Sequence, residues 1–147
     1  MKNPGSFAIT PIGYVHSTLE ERSLAPRQGW KSAPDARLEI DPEFIDALDG
    51  MKPGQDIWIL TWLHQSIRST LKVHPGKNPR NPLTGVFATR SPDRPNPIGL
   101  HRAKILSIDR GLCLHVRGLE AIDGTPILDI KPVLKRPSLP EDEREPW

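Results

Sequence analysis

Apolar residues recur with a period near two in six separate stretches of this chain. Such alternation is typical of half-buried strands, because successive side chains of a strand point to opposite faces of its sheet. The stretches predicted to be strands are 7–15, 56–63, 85–88, 98–108, 112–119 and 126–134. A series of strands joined by turns favours antiparallel pairing and so predicts a mainly β protein.

Two local signals complete the predicted fold. A turn at 109–111, which ends in glycine, interrupts the alternation and indicates a hairpin. Residues 41–48 carry the one helical signal, with Asp41 able to cap and Pro42 at the first helical position. The expected architecture is a small antiparallel β-barrel or rolled sheet with one short helix and long loops, rather than a doubly wound α/β sheet.

Composition places the chain among single-domain globular proteins. It has 147 residues, 36% of them hydrophobic and 26% charged, and its 17 prolines disfavour long helices. Because it has no apolar run of membrane-spanning length and its first residues lack the apolar core of a signal peptide, we expect no membrane segment and a cytoplasmic location. The segment 135–147 is rich in proline and acidic residues and is predicted to be a mobile tail.

Cysteine and histidine usage bears on metal chemistry. Cys113 is the only cysteine, which excludes a disulfide framework and a cysteine-based metal site. It lies in an alternating apolar stretch and is expected to be a buried structural thiol. The histidines lack the spacing of metal ligands, so no metal site is expected.

The formal net charge of +2 hides an asymmetry. Residues 68–104 contain eight lysines and arginines but a single acid, Asp93. Such a stretch can be a solvated basic face, or it can attract a polyanion such as RNA, since phosphate contacts need clustered Lys and Arg. Both interpretations remain open at this point.

The loop at 89–99 follows an apolar stretch and contains three prolines that restrict its backbone. Arg90, Arg94 and Asn96 are therefore held in restricted geometry, which suits a binding loop. The alternative is a rigid surface connection whose arginines are solvated.

Four polar clusters lie at predicted strand ends or in long loops: Pro26-Arg27-Gln28, His64-Gln65, Arg90 with Arg94 and Asn96, and Glu120 to Asp123. Taken singly, each has a structural explanation as well, such as a satisfied histidine or an ordinary Asp-Gly turn. The common nucleotide-binding and hydrolase motifs are absent from the sequence.

Short blocks occur in a fixed order along the chain: Pro26-Arg27-Gln28, Trp58-Ile59-Leu60, His64-Gln65, 85–91, 94–99, 123–126 and 129–132. Together they resemble the TsaA-like (YaeB, TrmO) family. The resemblance covers about residues 7–134, which defines one expected domain followed by the tail 135–147.

The resemblance implies an S-adenosylmethionine-dependent methyltransferase built on a small β-barrel and working as a homodimer. Family members methylate N6 of threonylcarbamoyladenosine at tRNA position 37. Carried over to this chain, the expected cofactor contacts are Pro26, Arg27, Gln28, His64, Gln65, Arg90, Leu100, Glu120, Ala121, Ile122 and Asp123. The residues expected to meet the substrate are Arg68, Lys72, Arg94 and Asn96.

The chemistry of S-adenosylmethionine requires a cation for its carboxylate, an acid for its ammonium or ribose hydroxyls, and apolar walls. Arg27 or Arg90 is expected to bind the carboxylate, and Asp123 the ammonium or a ribose hydroxyl. The proton released from N6 would pass to His64, to Asp123 or to water. Longer relatives continue into a C-terminal domain, so methylation of a small molecule, or a non-catalytic cofactor-sensing or RNA-binding module, stays an alternative.

Overall fold

The computed structural model describes residues 5–22 and 33–135. Six strands form a closed barrel: Gly13–His16 (β1), Ala36–Ile40 (β2), Asp56–Trp62 (β3), Ile98–Asp109 (β6), Cys113–Arg117 (β7) and Pro126–Pro132 (β8). Around the barrel they follow the order β1-β2-β7-β6-β3-β8, and every neighbouring pair is antiparallel. The prediction of a mainly β, antiparallel protein is confirmed.

The barrel interior holds the hydrophobic core. Along a strand, every second side chain points into the barrel and is buried, and the side chains between them face outward. In β2, for example, Ala36, Leu38 and Ile40 are buried. We call the inward-pointing set of each strand its interior phase. The fully buried aliphatic residues include Val15, Leu38, Ile57, Ile59, Ile105, Leu114, Val116 and Ile127. The period-two pattern in the sequence is therefore the alternation between barrel interior and surface.

Several strand predictions need correction. β2 was not predicted, although it alternates. The strand predicted at 7–15 begins only at Gly13, as β1, and Phe7 is 90% exposed. The predicted strand at 85–88 is wrong, because Val86–Ala88 forms a 3₁₀ turn in which Thr89 N–H donates to the Val86 carbonyl.

The predicted helix is a 3₁₀ helix, Pro42–Leu48, and Asp41 does not cap it with its side chain. Instead, Phe44 N–H donates to the Asp41 backbone carbonyl three residues earlier, at 2.9 Å. Seven residues are too few to nucleate a stable α-helix by themselves. Partly buried Phe44 and Leu48 pack against the core, so tertiary packing sets the conformation.

The predicted hairpin is confirmed: β6 and β7 pair antiparallel around a turn in which Arg110 and Gly111 have φ of 51° and 71°. Cys113 begins β7 and is half-buried rather than fully buried, because Leu114 and Val116 occupy the interior phase. Partial burial still raises the pKa of the Cys113 thiol.

One long excursion leaves the barrel between β3 and β6. It contains a two-stranded sheet of Lys72–Val73 (β4) and Thr84–Gly85 (β5), and a short 3₁₀ turn at Pro75–Lys77. The excursion begins and ends side by side, since Leu63 N–H donates to the Pro97 carbonyl at 2.8 Å. Its loops consequently gather over one end of the barrel. Within the described ranges, no helix is long and apolar enough to span a membrane.

Candidate functional site

A cavity of about 430 Å³ opens at this end of the barrel. Its walls come from the residues after β3, the proline loop before β6, the start of β6 and the connection between β7 and β8. These segments are distant in sequence, and strand pairing brings them together. Three of the four predicted polar clusters contribute residues to these walls.

Most of the expected contacts line this cavity. They are His64, Gln65, Arg90, Leu100, Glu120, Ala121 and Ile122, together with the expected substrate residue Arg94. Pro26, Arg27 and Gln28 lie outside the described residues. Asp123 is not a lining residue: it is exposed, and its Oδ1 accepts from Ser17 N–H at 3.1 Å and lies 3.7 Å from His16 Nδ1.

The lining is strongly asymmetric in charge. Among the described residues it includes four Lys and Arg side chains, Arg22, Lys77, Arg90 and Arg94, and one acid, Glu120. Apolar side chains such as Leu63, Ile98 and Ile122 complete the walls. Such a cavity suits a small ligand that carries a negative group, a positive group and an apolar body.

The two arginines of the proline loop have different roles. Arg94 donates to the backbone carbonyls of Val86 and Thr89 and so closes the loop on itself. Its buried Nε has no partner within the described part of the chain. Within the described residues, exposed Arg90 makes one bond, from Nη2 to the Leu100 carbonyl at 3.3 Å, which leaves most of its five donors available to a ligand.

Arg68 and Asn96 brace the same loop. Arg68 donates to the Pro95 carbonyl at 2.8 Å and to Asn96 Oδ1 at 3.2 Å, and its guanidinium lies 5.2 Å from the centre of the Trp62 ring. Neither residue lines the cavity. Lys72 lies exposed on β4, in the two-stranded sheet away from the cavity lining.

Asp93 ties the proline loop to two other segments. Its Oδ1 accepts from Ile67 N–H at 2.8 Å and lies 3.1 Å from Arg22 Nη2. Burial works against the charged carboxylate, but these partners outweigh it, and the pKa of Asp93 lies below its ordinary value. Arg22 also donates to the Gln65 carbonyl at 3.1 Å, so it couples the cavity rim to the residues after β3.

A buried polar chain forms one wall of the cavity. His101 Nδ1 lies 2.7 Å from Glu120 Oε1, and His101 Nε2 lies 2.7 Å from Thr61 Oγ1. Thr61 is fully buried, His101 is 5% exposed and Glu120 is 14% exposed. An ionised carboxylate can only accept a hydrogen bond, so His101 Nδ1 carries the proton and donates to Glu120. In a neutral ring, Nε2 then accepts a hydrogen bond from the Thr61 hydroxyl.

Gly99 makes room for this chain. Thr61 pairs with Gly99 across the β3–β6 ladder. A Cβ at Gly99 would lie 2.3 Å from Thr61 Oγ1 and 2.5 Å from His101 Nε2. Only glycine therefore allows the two polar side chains to meet.

Arg22, Asp93, Thr61 and His101 were not predicted as site residues. The alternation of β6 contains the signal for His101, because the interior phase runs Gly99, His101, Ala103, Ile105. A histidine within a buried apolar phase requires a polar partner. No comparable signal exists for Arg22, whose contacts depend on the folding of the long excursion. The described residues contain no group of three His, Cys, Asp or Glu side chains able to hold a metal ion.

Comparison with known proteins relates this chain to a family. Residues 14–137 match the tRNA-methyltransferase O N-terminal domain. The chain is 46% identical over 125 residues to a Methanothermobacter thermautotrophicus protein described as a "probable S-adenosyl-L-methionine-binding protein", covering 84% of this chain and 88% of that one. An S-adenosyl-L-methionine-binding protein of Archaeoglobus fulgidus is 41% identical over 124 residues, covering 84% of this chain and 86% of that protein.

Solved structures agree with this relation. A crystal structure of TrmO from Pseudomonas aeruginosa superposes with a TM-score of 0.72 at 32% identity. The match covers 98% of this chain but 62% of the TrmO chain. A second TrmO crystal structure gives a TM-score of 0.72 at 34% identity, covering 96% of this chain and 64% of that one.

Proposed function

The chain belongs to the tRNA-methyltransferase O N-terminal domain family, and we propose that it is an S-adenosylmethionine-dependent methyltransferase whose cofactor binds in the cavity at the end of the barrel. The observation that carries this proposal is that the cationic Arg90, the acidic Glu120 and apolar side chains face one cavity. S-adenosylmethionine has the matching groups: a carboxylate, an ammonium and a sulfonium on an apolar frame. The cavity volume of about 430 Å³ lies within the range of small-molecule sites.

Arg90 is the side chain best suited to the cofactor carboxylate. It is exposed at the cavity and makes a single long hydrogen bond to the part of the chain that the structure describes, whereas Arg94 is engaged by two backbone carbonyls. Arg27 remains the alternative and lies outside the described residues. His64 and Gln65, exposed directly after β3, would meet the ligand from the opposite segment.

When bound, the cofactor supplies an activated methyl group for in-line transfer to a nucleophilic nitrogen. The contribution of the protein is then to position the reactants and exclude water, and the rigid proline loop suits that task. The nitrogen must also release a proton. Of the two acceptors considered, His64 lines the cavity and Asp123 does not, so His64 or water is the better candidate.

We propose N6 of threonylcarbamoyladenosine at tRNA position 37 as the acceptor, with the basic residues of 68–104 providing phosphate contacts. Lys72 is exposed and available for this role, while Arg68, Arg94 and Asn96 act first by shaping the loop. A homodimer would double the basic surface. The homodimer and the cytoplasmic location remain predictions.

Isothermal titration with S-adenosylmethionine tests the cofactor site. Arg90→Ala is expected to abolish binding at micromolar protein while leaving the circular dichroism spectrum unchanged, because Arg90 contributes little to the fold. Arg117→Ala is the matched control, since Arg117 lies exposed on β7 and pairs with Asp35 away from the cavity. Wild-type affinity in Arg90→Ala would remove Arg90 from the site.

Mass spectrometry of tRNA nucleosides tests the acceptor. Incubation of the purified protein with S-adenosylmethionine and tRNA from a strain lacking the modification should yield methylated threonylcarbamoyladenosine. Cofactor binding without any methylated nucleoside would contradict the tRNA acceptor and favour a small-molecule substrate. A strong salt dependence of tRNA binding is expected, as counterions are released from the phosphates.

A further inference from the structure

The chain Thr61–His101–Glu120 is a polar group in a largely apolar barrel interior. A buried polar or charged pair is often no more stabilising than well-packed apolar residues of similar size, although removing one partner of the pair is costly. The polar chain lies at the end of the barrel that opens into the cavity. Its position suggests a role in the site in addition to its role in the core.

Glu120 is the only acid among the described residues of the cavity lining. Its carboxylate is 14% exposed, so a ligand can reach it, yet it is largely withdrawn from water. A carboxylate in that environment attracts a positive charge more strongly than an exposed one. The strength of this attraction depends on whether the orientation of the Glu120 carboxylate is fixed.

His101 provides that restraint. The His101 ring contacts Glu120 at 2.7 Å on one side and Thr61 at 2.7 Å on the other, so both ring nitrogens are engaged. At 5% exposure the ring has no freedom to turn, and Thr61 is fully buried on β3. Partners of this kind fix the orientation of a binding group by occupying its remaining hydrogen-bonding positions.

We propose that His101 and Thr61 are positioning residues that hold the Glu120 carboxylate as a fixed anion in the cavity, where it binds the positively charged part of the ligand. The inference rests on the proposed function, in which that ligand is S-adenosylmethionine. Thr61 is not a lining residue, and although His101 lines the cavity, both of its ring nitrogens are engaged by Glu120 and Thr61 and are not available to bind the ligand. Their effect on affinity passes entirely through Glu120.

Two amide substitutions at His101 separate positioning from simple packing. The Asn amide nitrogen falls near the place of Nδ1, so His101→Asn keeps a donor to Glu120, whereas the longer Gln side chain of His101→Gln reaches toward the position of Nε2 and Thr61. We expect His101→Gln to weaken S-adenosylmethionine binding about tenfold or more, the loss typical of one contact to a charged group. His101→Asn should rescue affinity to within about threefold of the wild type.

A double-mutant cycle gives the deciding measurement. Glu120→Gln alone should weaken binding about tenfold or more, and adding His101→Gln should cause no further loss, because His101 acts through Glu120. Should His101→Gln fail to fold, as judged by circular dichroism, Thr61→Val takes its place in the cycle. The proposal would be overturned if the double variant lost affinity by the product of the two single losses, or if His101→Gln bound with wild-type affinity.

The wild-type titration separates this inference from the proposed function. If the wild type does not bind S-adenosylmethionine, the proposed function fails. If the wild type binds and the Asn and Gln variants at His101 bind with equal affinity, the proposed function stands and the positioning role fails. The thermal midpoint of each variant shows whether affinity and stability change together, as a purely structural role would require.

Discussion

Two histidines on neighbouring strands, His101 on β6 and His115 on β7, each pair with a carboxylate at the same separation. His101 and Glu120 are 2.7 Å apart, as are His115 and Asp109. In the first pair the side chains are 5% and 14% exposed, and in the second they are 34% and 60% exposed. The distance is equal, so the difference between the two interactions lies in their surroundings, above all in their burial.

The difference in burial follows from strand phase. His101 occupies the interior phase of β6, whereas His115 occupies the outer phase of β7. Water screens the outer pair and can solvate either partner if the other is removed. Inside the barrel a lone carboxylate or imidazole has no such replacement, so removing one partner of the interior pair is costly.

The largest expected effect is therefore at His101. His101→Leu keeps an apolar shape but leaves Glu120 without its donor, and should lower the free energy of unfolding by about 3–5 kcal/mol. Urea denaturation followed by circular dichroism measures the change. His115→Leu is the matched control, and a loss equal to that of His101→Leu would show that burial does not separate the pairs.

A somewhat smaller effect is expected at Gly99. Gly99→Ala places a methyl group against Thr61 Oγ1 and His101 Nε2, and such overpacking costs about 1–3 kcal/mol. Thermal unfolding measures it. The control is Gly85→Ala, since a Cβ at Gly85 would meet nothing within 4 Å and the residue has a φ of −59°; equal destabilisation of both variants would contradict the close packing at Gly99.

Asp93 offers an intermediate case, partly buried and bonded to a backbone amide. Because its pKa in the folded protein lies below the ordinary value, it stabilises the fold above its unfolded pKa, and this contribution is lost as the pH falls through the lowered folded pKa. Asp93→Asn should lower stability by about 1–2 kcal/mol at neutral pH.

The pH dependence of unfolding separates the contribution of the Asp93 charge to stability from the contribution of its shape. Urea midpoints measured from about pH 7 down to about pH 2 should fall for the wild type below about pH 4 and fall less for Asp93→Asn, so that the curves converge in acid. Parallel curves would mean that the Asp93 carboxylate is not preferentially ionised in the folded protein.

The smallest effect is expected at the exposed pair. Asp109→Asn should change the free energy of unfolding by less than about 1 kcal/mol. Repeating the measurement in about 1 M salt should remove most of that difference, since the Debye length is then about 3 Å. A difference that survives high salt would indicate a hydrogen bond that does not depend on charge.

Much of the barrel could be predicted from the sequence because strand alternation and tight turns are local. The β6–β7 hairpin and the interior phase of β3 follow from such patterns. β2 was missed because its five residues are a weak signal without their partners on β1 and β7. The 3₁₀ turn at Val86–Ala88 resembles a strand in composition, and its conformation depends on Arg94, which donates to the Val86 carbonyl.

The amino-acid pattern alone shows where apolar residues alternate, where the basic stretch and the proline loop lie, and which short blocks carry the family resemblance. The folded structure was needed to show that Arg94 closes the loop while Arg90 faces the cavity. The structure also places Thr61, His101 and Glu120 in one buried chain, although Thr61 and Glu120 lie 40 and 19 residues away from His101 in the sequence. Alternation and turn chemistry act between neighbours, whereas a site of this kind depends on strand pairing that joins distant segments.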